Sequence, residues 1–403
     1  MEKFETIIIG GGAAGLFFAT AVNTKGGVLL LERMDRLGKK LSATGNGQGN
    51  LTNTRVKDTP YFSHAKNGAD RVKEIISRYS NEALIGFFRS LGGVTVTDER
   101  GRVYPASRQA SSITDLLRYE VEARGVEVRF SSFVKGIEKT KDGFTLSVQT
   151  PEGEGKVFGR KVLLATGGKA AKNFGTDGNG YELAKSLGHT LTPLTPSLVQ
   201  LKTDTRYTKT LKGLRASGAC VSASVDGKTV AMVKGDLIFT DYGVSGDTVF
   251  RLSAFLSGKE QGAELHIDFL PELSKEELLS ALTAKRKAFP SLPDSELFCG
   301  ILNNQIGRAV VKRVESGSLE TLVSTVKRFT LPVTGSLGFD YAQVTKGGVN
   351  FDEVDDTLQS KKAKGLYFAG EIVDVDGECG GFNLQWAFSS ARVVAEAING
   401  GQV

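Results

Sequence analysis

The sequence predicts an α/β protein: a Rossmann-like domain with a parallel sheet and a β-meander crossover, an inserted β-rich domain and a nested helical segment. Three observations carry this reading. The apolar run Ile7-Ile8-Ile9 ends in Gly10-x-Gly12-x-x-Gly15 and passes at once into the helix-forming Leu16-Phe17-Phe18-Ala19. A second apolar run, Val28-Leu29-Leu30-Leu31, ends in Glu32. Near the C-terminus, Leu366-Tyr367-Phe368-Ala369-Gly370-Glu371 forms another buried strand ending in small residues ahead of a last helix. Strand, glycine turn and helix in that order are the context a dinucleotide fingerprint requires.

Each glycine of the first motif has a physical role. Gly10 permits the tight turn, Gly12 lets a pyrophosphate approach the backbone, and Gly15 allows the helix to pack closely on the strand. The helix N-terminus offers free N–H groups and a partial positive charge to phosphates. The motif calls for an acid about 20 residues on, at the end of the next strand. Glu32 occupies that place and is expected to hold a ribose hydroxyl.

Composition narrows the class. The chain has 403 residues, 40% hydrophobic and 24% charged, enough for two or three globular domains. No apolar run approaches a membrane span, and the N-terminus opens directly on a strand without a basic leader, so a cytoplasmic protein without membrane partners is expected. Cys220, Cys299 and Cys379 are odd in number and widely spaced, and no C-x-x-C occurs, which argues against a disulfide framework, a dithiol redox centre or a metal cluster. His64, His189 and His266 are isolated and read as surface or core histidines, so no metal is expected. The formal charge of +6 is compatible with an anionic partner such as RNA. The charges are interspersed, with short clusters at 285–287 and 361–364, which favours a solvated surface.

Between Gly38 and Asn53 the chain carries no hydrophobic period but many Gly, Ser, Thr and Asn residues, as a loop lying against a ligand would. Residues 66–92 read as two amphipathic helices and 109–124 as another. Strands are expected at 126–130, 144–148, 156–158 and 161–164, the meander returning to the parallel sheet. From Pro193 short alternating strands take over, with Asp226-Gly227 as a two-residue hairpin turn. Residues 273–327 read as mostly helical, with Ser274 as an N-cap. Finally, Cys379-Gly380-Gly381-Phe382-Asn383 precedes the last helix, so that glycines again expose N–H groups at a helix start.

The first motif with Glu32, Ala165-Thr166-Gly167 and Gly365–Glu371 together resemble the two-dinucleotide-binding-domain flavoproteins of the glutathione reductase superfamily. More narrowly, 36–40, Thr44-Gly45-Asn46-Gly47, Asn50-Leu51-Thr52-Asn53, 101–105, 239–246, 344–349 and 380–387 resemble the BaiN/YhiN flavoproteins. The resemblance implies FAD as cofactor. It also implies a discontinuous FAD-binding domain (1–191 and 340–403), an inserted β-rich substrate domain (192–255 and 328–339) and a helical subdomain (256–327). Ala165, Thr166, Gly167 and the backbone near Val134 would line the adenosine, Asp374 would face the ribityl and pyrophosphate, and Gly381, Asn383 and Leu384 would face the ring. The rest of the implied cofactor set is Gly10, Gly12, Ala13, Ala14, Gly15, Glu32, Arg33, Lys40, Thr44, Gly45, Asn46, Asn50, Thr52, Gly370 and Glu371.

Activities linked to that family are diverse. The expected one is hydride transfer from NAD(P)H, a transient reductant, through FAD to an unsaturated acceptor, either a steroid-like enone or uridine in ribosomal RNA. The alternatives are oxidation of a small amine such as aminoacetone with O2 as acceptor, and RNA binding without catalysis. No second G-x-G-x-x-G follows a strand, since 175–180 has different spacing, so a resident nicotinamide domain is not expected. Arg102, Tyr104, Lys346 and Cys379 are the candidates for the substrate face, although Arg102 and Lys346 equally suit solvated charges and Cys379 a packing residue. One departure stands out: many members carry Arg-Cys where this chain has Gln48-Gly49, which removes a candidate proton donor for uridine reduction. The oligomeric state is not legible.

Overall fold

A computed structural model describes residues 1–23, 25–58, 61–315 and 317–400. Ser316, inside the segment expected to be helical, and residues 401–403, at the end of the expected FAD-binding domain, lie outside the described residues. The chain divides into two compact units, Met1–Thr195 with Val344–Val403, and Pro196–Gln343.

The first unit is organised around the strand Glu2–Ile9. Ile7 and Ile8 are fully buried, as both faces of a central parallel strand must be. Val28–Leu31 pairs with it in parallel on one side, Ile8 opposite Leu30, and Gly153–Leu164 on the other, Ile8 opposite Leu163. Glu127–Arg129 extends the first edge, while Phe144–Thr150 and Phe133–Lys139 form the antiparallel meander on the other. Leu366–Phe368 joins the sheet in parallel beside Val162–Leu164. The two strands expected at 156–158 and 161–164 are one continuous strand. The reason is local packing: a Cβ on Gly159 would lie 2.8 Å from Cγ1 of Ile7, so the missing side chain lets this strand run on beside Glu2–Ile9.

The helix Ala13–Ala21 and the C-terminal helix Phe382–Ile398 share an aromatic core in which Phe17 lies 5.0 Å from Phe388 and 5.5 Å from Tyr79, ring centre to ring centre. Two small sheets complete this unit. Arg102–Pro105 pairs with Thr52–Asn53 and with Thr95–Thr97, and Tyr61–Phe62 pairs with Asp376–Gly377. They place four distant stretches of chain at the start of the last helix.

The second unit holds a closed barrel in the order Leu201–Thr203, Gly243–Ser245, Lys228–Phe239, Arg215–Val225, Ala263–Asp268 and Phe329–Ser336. Asp226 and Gly227 join two of these strands with φ of +49° and +75°, the pair of left-handed residues that a type I′ turn needs. Two elements correct the expected organisation. Ala263–Asp268 is a strand within 256–327, where helix was expected, because pairing on both sides, with Arg215–Val225 and Phe329–Ser336, closes the barrel and overrides local preference. Asp247–Leu256 is a helix at the end of the stretch 192–255 expected to be β-rich; Thr248, Val249, Leu252, Ser253 and Leu256 recur on one buried face. The helices Lys275–Ala288, Asn304–Val314 and Leu319–Lys327 follow, the first opened by a capping box in which Ser274 Oγ accepts from the Glu277 N–H and Glu277 Oε2 from the Ser274 N–H.

Among the described residues no helix is long and apolar enough to cross a membrane, and no group of three or more His, Cys, Asp or Glu side chains is placed to hold a metal ion. His189 is held between Glu353 and Ser360, and His266 between Ser224 and Thr330; burial lowers the pKa of both. Leu265 is fully buried in the barrel wall. Leu265→Ala should therefore cost about 2–5 kcal/mol in a urea unfolding titration, and a loss well under that range would show that the barrel collapses around the gap.

Candidate functional site

The turn after the first strand is shaped by close backbone approaches. Gly10 has φ +101°, and a Cβ on it would lie 2.6 Å from the Ala165 carbonyl oxygen. A Cβ on Gly15 would lie 1.9 Å from the Gly10 carbonyl oxygen, so the helix rests directly on the turn. Gly12 differs, because a Cβ there would meet no protein atom within 4 Å. It caps Ala13–Ala21 without a side-chain hydrogen bond, which leaves the helix start open toward that space.

Around this turn the nucleotide-side residues converge. Glu32 is buried; its Oε2 accepts the Gly11 N–H at 2.7 Å and its Oε1 the Met34 N–H at 2.7 Å. The carboxylate thus pins the turn and still has lone pairs for a hydroxyl donor. The Ala165 N–H donates to Ile9 O, and Gly167 has φ +72°. Arg33 pairs with Asp177 at 2.8 Å and lies 4.7 Å over the ring of Phe133, the neighbour of buried Val134.

The second helix start is built in the same way from different parts. Gly381, φ +100°, caps Phe382–Ile398 without a side-chain bond, and a Cβ on it would lie 2.5 Å from Thr52 O and 2.8 Å from Asn50 Oδ1. That Oδ1 is buried and lacks a hydrogen-bond partner among the described residues. Thr52 Oγ1 donates to Gln385 Oε1 at 2.5 Å, and Asn53 Nδ2 donates to Gly380 O at 3.0 Å. Ahead of Asn50, Thr44 Oγ1 donates to Leu41 O, while Gly45 and Asn46 turn the loop with φ of +59° and +54°. Asn383 uses its side chain on Gly377, accepting its N–H at 2.9 Å and donating to its carbonyl at 2.8 Å, so only its main chain is left for a ligand. The following Leu384 packs against the apolar core.

Gly370 joins the start of the first helix to the body of the last one. A Cβ on it would lie 3.0 Å from Cβ of Ala14, its N–H donates to Ser390 Oγ, and its carbonyl accepts from Trp386 Nε1. Next to it, Glu371 pairs with Lys40 at 2.8 Å and accepts the Thr345 N–H. Asp374 is fully buried and accepts from the His64 main-chain N–H at 2.8 Å, with His64 Nδ1 at 3.0 Å.

Three of the four substrate-face candidates, Arg102, Tyr104 and Cys379, lie close to one another. Arg102 donates from Nε to Asp98 Oδ2 at 2.8 Å, and its Cγ would lie 3.8 Å from a Cβ on Gly380. Tyr104, on the same strand, is buried; burial raises its pKa, with Asp98 and Cys379 adding to the effect and Arg102 opposing it, so the phenol stays protonated. Cys379 is half-buried and forms no disulfide. The Lys346 ammonium lies 4.9 Å over the Phe62 ring.

Sequence reasoning missed two residues here, His64 and Asp376. His64 finds its carboxylate partner 310 residues away, which no local pattern announces. Asp376 is 1% exposed and neither carboxylate oxygen has a hydrogen-bond partner among the described residues. Burial pushes its pKa up from 3.8 to about 7; Asp374 and Glu371 push the same way, and Lys346 opposes. An extended Asp374-Val375-Asp376 run entering a glycine turn was the available signal.

These features fit a dinucleotide with a ring at its far end: room before one glycine-capped helix, an orphaned amide oxygen beside the other, and Gly370 holding both. Gly12→Ala should fold normally yet lose bound FAD, whereas Gly15→Ala should lose about 1–3 kcal/mol of stability through overpacking. Flavin absorbance per protein and thermal melting separate the two, and equal flavin content in Gly12→Ala and native protein would contradict the cradle. Asp376 gives a second test. A carboxyl whose pKa is raised on folding stabilises the fold fully below its unfolded value of 3.8, and that contribution is lost as the pH rises through about 7. The melting temperature of the native protein should therefore fall relative to Asp376→Asn between about pH 5 and about pH 8; a constant difference would show that the carboxyl is already ionised.

Comparison with known proteins agrees with this geometry. A 3-dehydro-bile acid delta(4,6)-reductase from Clostridium scindens is 34% identical over 409 residues, covering 97% of this chain and 98% of that protein. A ribosomal RNA dihydrouridine synthase from Escherichia coli is 29% identical over 411 residues, covering 99% and 98%. Among solved structures, a 3-ketosteroid-delta4-(5alpha)-dehydrogenase from Rhodococcus jostii RHA1 is similar in fold, with a TM-score of 0.54 at 15% identity over 100% of this chain and 97% of that one. The family described as HI0933-like protein Rossmann domain matches residues 4–397, and the chain belongs to it.

Proposed function

We propose that this FAD-dependent oxidoreductase passes hydride from NAD(P)H through its flavin to an unsaturated small-molecule acceptor of the steroid-enone kind. The observation that carries this reading is the end-to-end likeness to the bile acid reductase, at 34% identity over 97% of the chain. Bound FAD supplies the two-electron carrier that accepts and returns hydride.

The chain's own residues do the rest. The N-termini of Ala13–Ala21 and Phe382–Ile398, both capped by glycine, would offer N–H groups and positive dipole ends to the phosphates and to the electron-rich ring of bound FAD. Lys40, paired with Glu371, and Asn53, bonded to Gly380, hold the 38–53 loop against those ends. Reduction of a carbon–carbon double bond takes one hydride and one proton, and Tyr104 keeps a proton at Oη because burial opposes its ionisation. Cys379, next to the Gly380-Gly381 turn, lies close enough to Tyr104 to add to that effect.

A small molecule is favoured over uridine in RNA by the loop at Gln48-Gly49. Gly49 has φ +74°, and a Cβ there would lie 2.8 Å from Cα of Ala110, so the position occupied by cysteine in many relatives has no room for a side chain here. A uridine-reducing thiol would have to come from elsewhere.

The test is anaerobic bleaching of the flavin with NADH, NADPH and aminoacetone added separately, followed by air, by an enone steroid or by uridine-containing RNA. Bleaching by a nicotinamide, slow reaction with air and fast reoxidation by the enone are expected. Tyr104→Phe should slow the enone step about 10²-fold or more while leaving flavin reduction unchanged. Bleaching by aminoacetone alone with prompt reoxidation in air would replace the reading with an amine oxidase, and salt-sensitive RNA binding without turnover would replace it with an RNA-binding flavoprotein.

A further inference from the structure

Asp376 is the buried titratable group that the proposed reaction leaves unused. It stands on the two-residue strand Asp376–Gly377, whose partner strand is Tyr61–Phe62. The Gly377 N–H and carbonyl are both held by Asn383, in the first turn of the last helix, and the Tyr61 hydroxyl donates to Phe382 O. Asp376 is therefore locked into the same hydrogen-bonded turn as the helix start that faces the ring. The charged groups around it come from each neighbouring element. Lys346 faces it as a cation, Asp374 and Glu371 face it as anions on its own segment, and beyond Asp374 stands His64, on the continuation of the Tyr61–Phe62 strand.

A bare carboxylate with both oxygens unpartnered is costly in such a place, whereas a neutral carboxyl is tolerated. A further negative charge brought to this end of the site by reduction would disfavour the ionised form still more. We propose that Asp376 is a positioning residue for the flavin's electron chemistry, taking up a proton when FAD is reduced and releasing it when FAD is reoxidised. In the full balance, two electrons and one proton go to the flavin and a second proton binds one Asp376 oxygen; reoxidation returns both. The ionisation of Asp376, centred near pH 7 before reduction, places this exchange in the neutral range. Lys346 sets its lower limit by favouring the ionised form.

The inference rests on the FAD reading, and one experiment keeps the two apart. The midpoint potential of the FAD-loaded full-length protein is measured by spectroelectrochemistry from about pH 5.5 to about pH 9. For a two-electron couple each proton taken up contributes about 30 mV per pH unit. The native protein should steepen from about 30 to about 59 mV per pH unit as the pH rises past about 7, because only then must Asp376 gain its proton on reduction. Asp376→Asn should keep the shallow slope throughout, and Asp376→Glu should restore the bend. Ionisation of the flavin ring itself bends the plot the opposite way, shallower as the pH rises. If Asp376→Asn fails to hold FAD, Lys346→Gln serves instead: without the cation the bend should move to higher pH. Superimposable plots for native protein and Asp376→Asn, or an unmoved bend in Lys346→Gln, overturn the proposal while leaving the FAD reading intact. A native protein that neither carries nor binds FAD overturns that reading instead.

Discussion

The first helix, through Ala14, and the last helix, through Trp386, Ala387 and Ser390, both pack on Gly370, and the first unit is arranged around that constraint. The approach requires the Gly10 turn to close on Ala165, Gly15 to sit on the Gly10 carbonyl, and Gly370 to lack a side chain. It also requires the strands Glu2–Ile9, Gly153–Leu164 and Leu366–Phe368 to lie side by side in parallel, since each ends at the same edge of the sheet. Ligands of open α/β sheets gather at the carboxyl ends of the strands for this reason, where helix N-termini point outward. Here two such N-termini are capped by glycine, so no side chain competes with a ligand for their N–H groups.

The polar side chains near this edge are used chiefly on the protein itself. Glu32 binds the turn, Thr52 and Asn53 bind the last helix and its glycines, Asn383 binds Gly377, and Lys40 neutralises Glu371. The consequence is preorganisation, because loops that would otherwise be mobile are clamped before any ligand arrives. Against that background, buried atoms such as Asn50 Oδ1 and both oxygens of Asp376, which have no hydrogen-bond partner among the described residues, stand out. Buried polar atoms are satisfied in most folded proteins, and exceptions concentrate where chemistry or ligands are served.

Charge at the ring end is finely balanced. Asp374 and Glu371 raise the proton affinity of Asp376 and Lys346 lowers it, while Lys40 pairs with Glu371 and His64 with Asp374. Of these carboxylates only Asp376 lacks donors, which is why burial acts on it unopposed by hydrogen bonds. A reduced, electron-rich cofactor adds to the same balance.

The sequence by itself determined the features that depend on a few consecutive residues. The strand, glycine turn and helix at 7–19, the hairpin at Asp226-Gly227 and the capping box at Ser274 are legible because backbone sterics and adjacent hydrogen bonds decide them. The family, too, was legible, because its glycine and asparagine motifs mark positions where backbone must approach backbone. Tertiary structure decided the rest. It fused 156–158 and 161–164 into one strand through the contact between Gly159 and Ile7, and it turned Ala263–Asp268 into a barrel strand by offering partners on both sides. It also brought His64 to Asp374 and left Asp376 unpartnered, outcomes set by desolvation and by neighbours hundreds of residues away. Hydrogen-bond partnership and proton affinity belong to a place in the fold, and a residue's identity states only what it is able to do there.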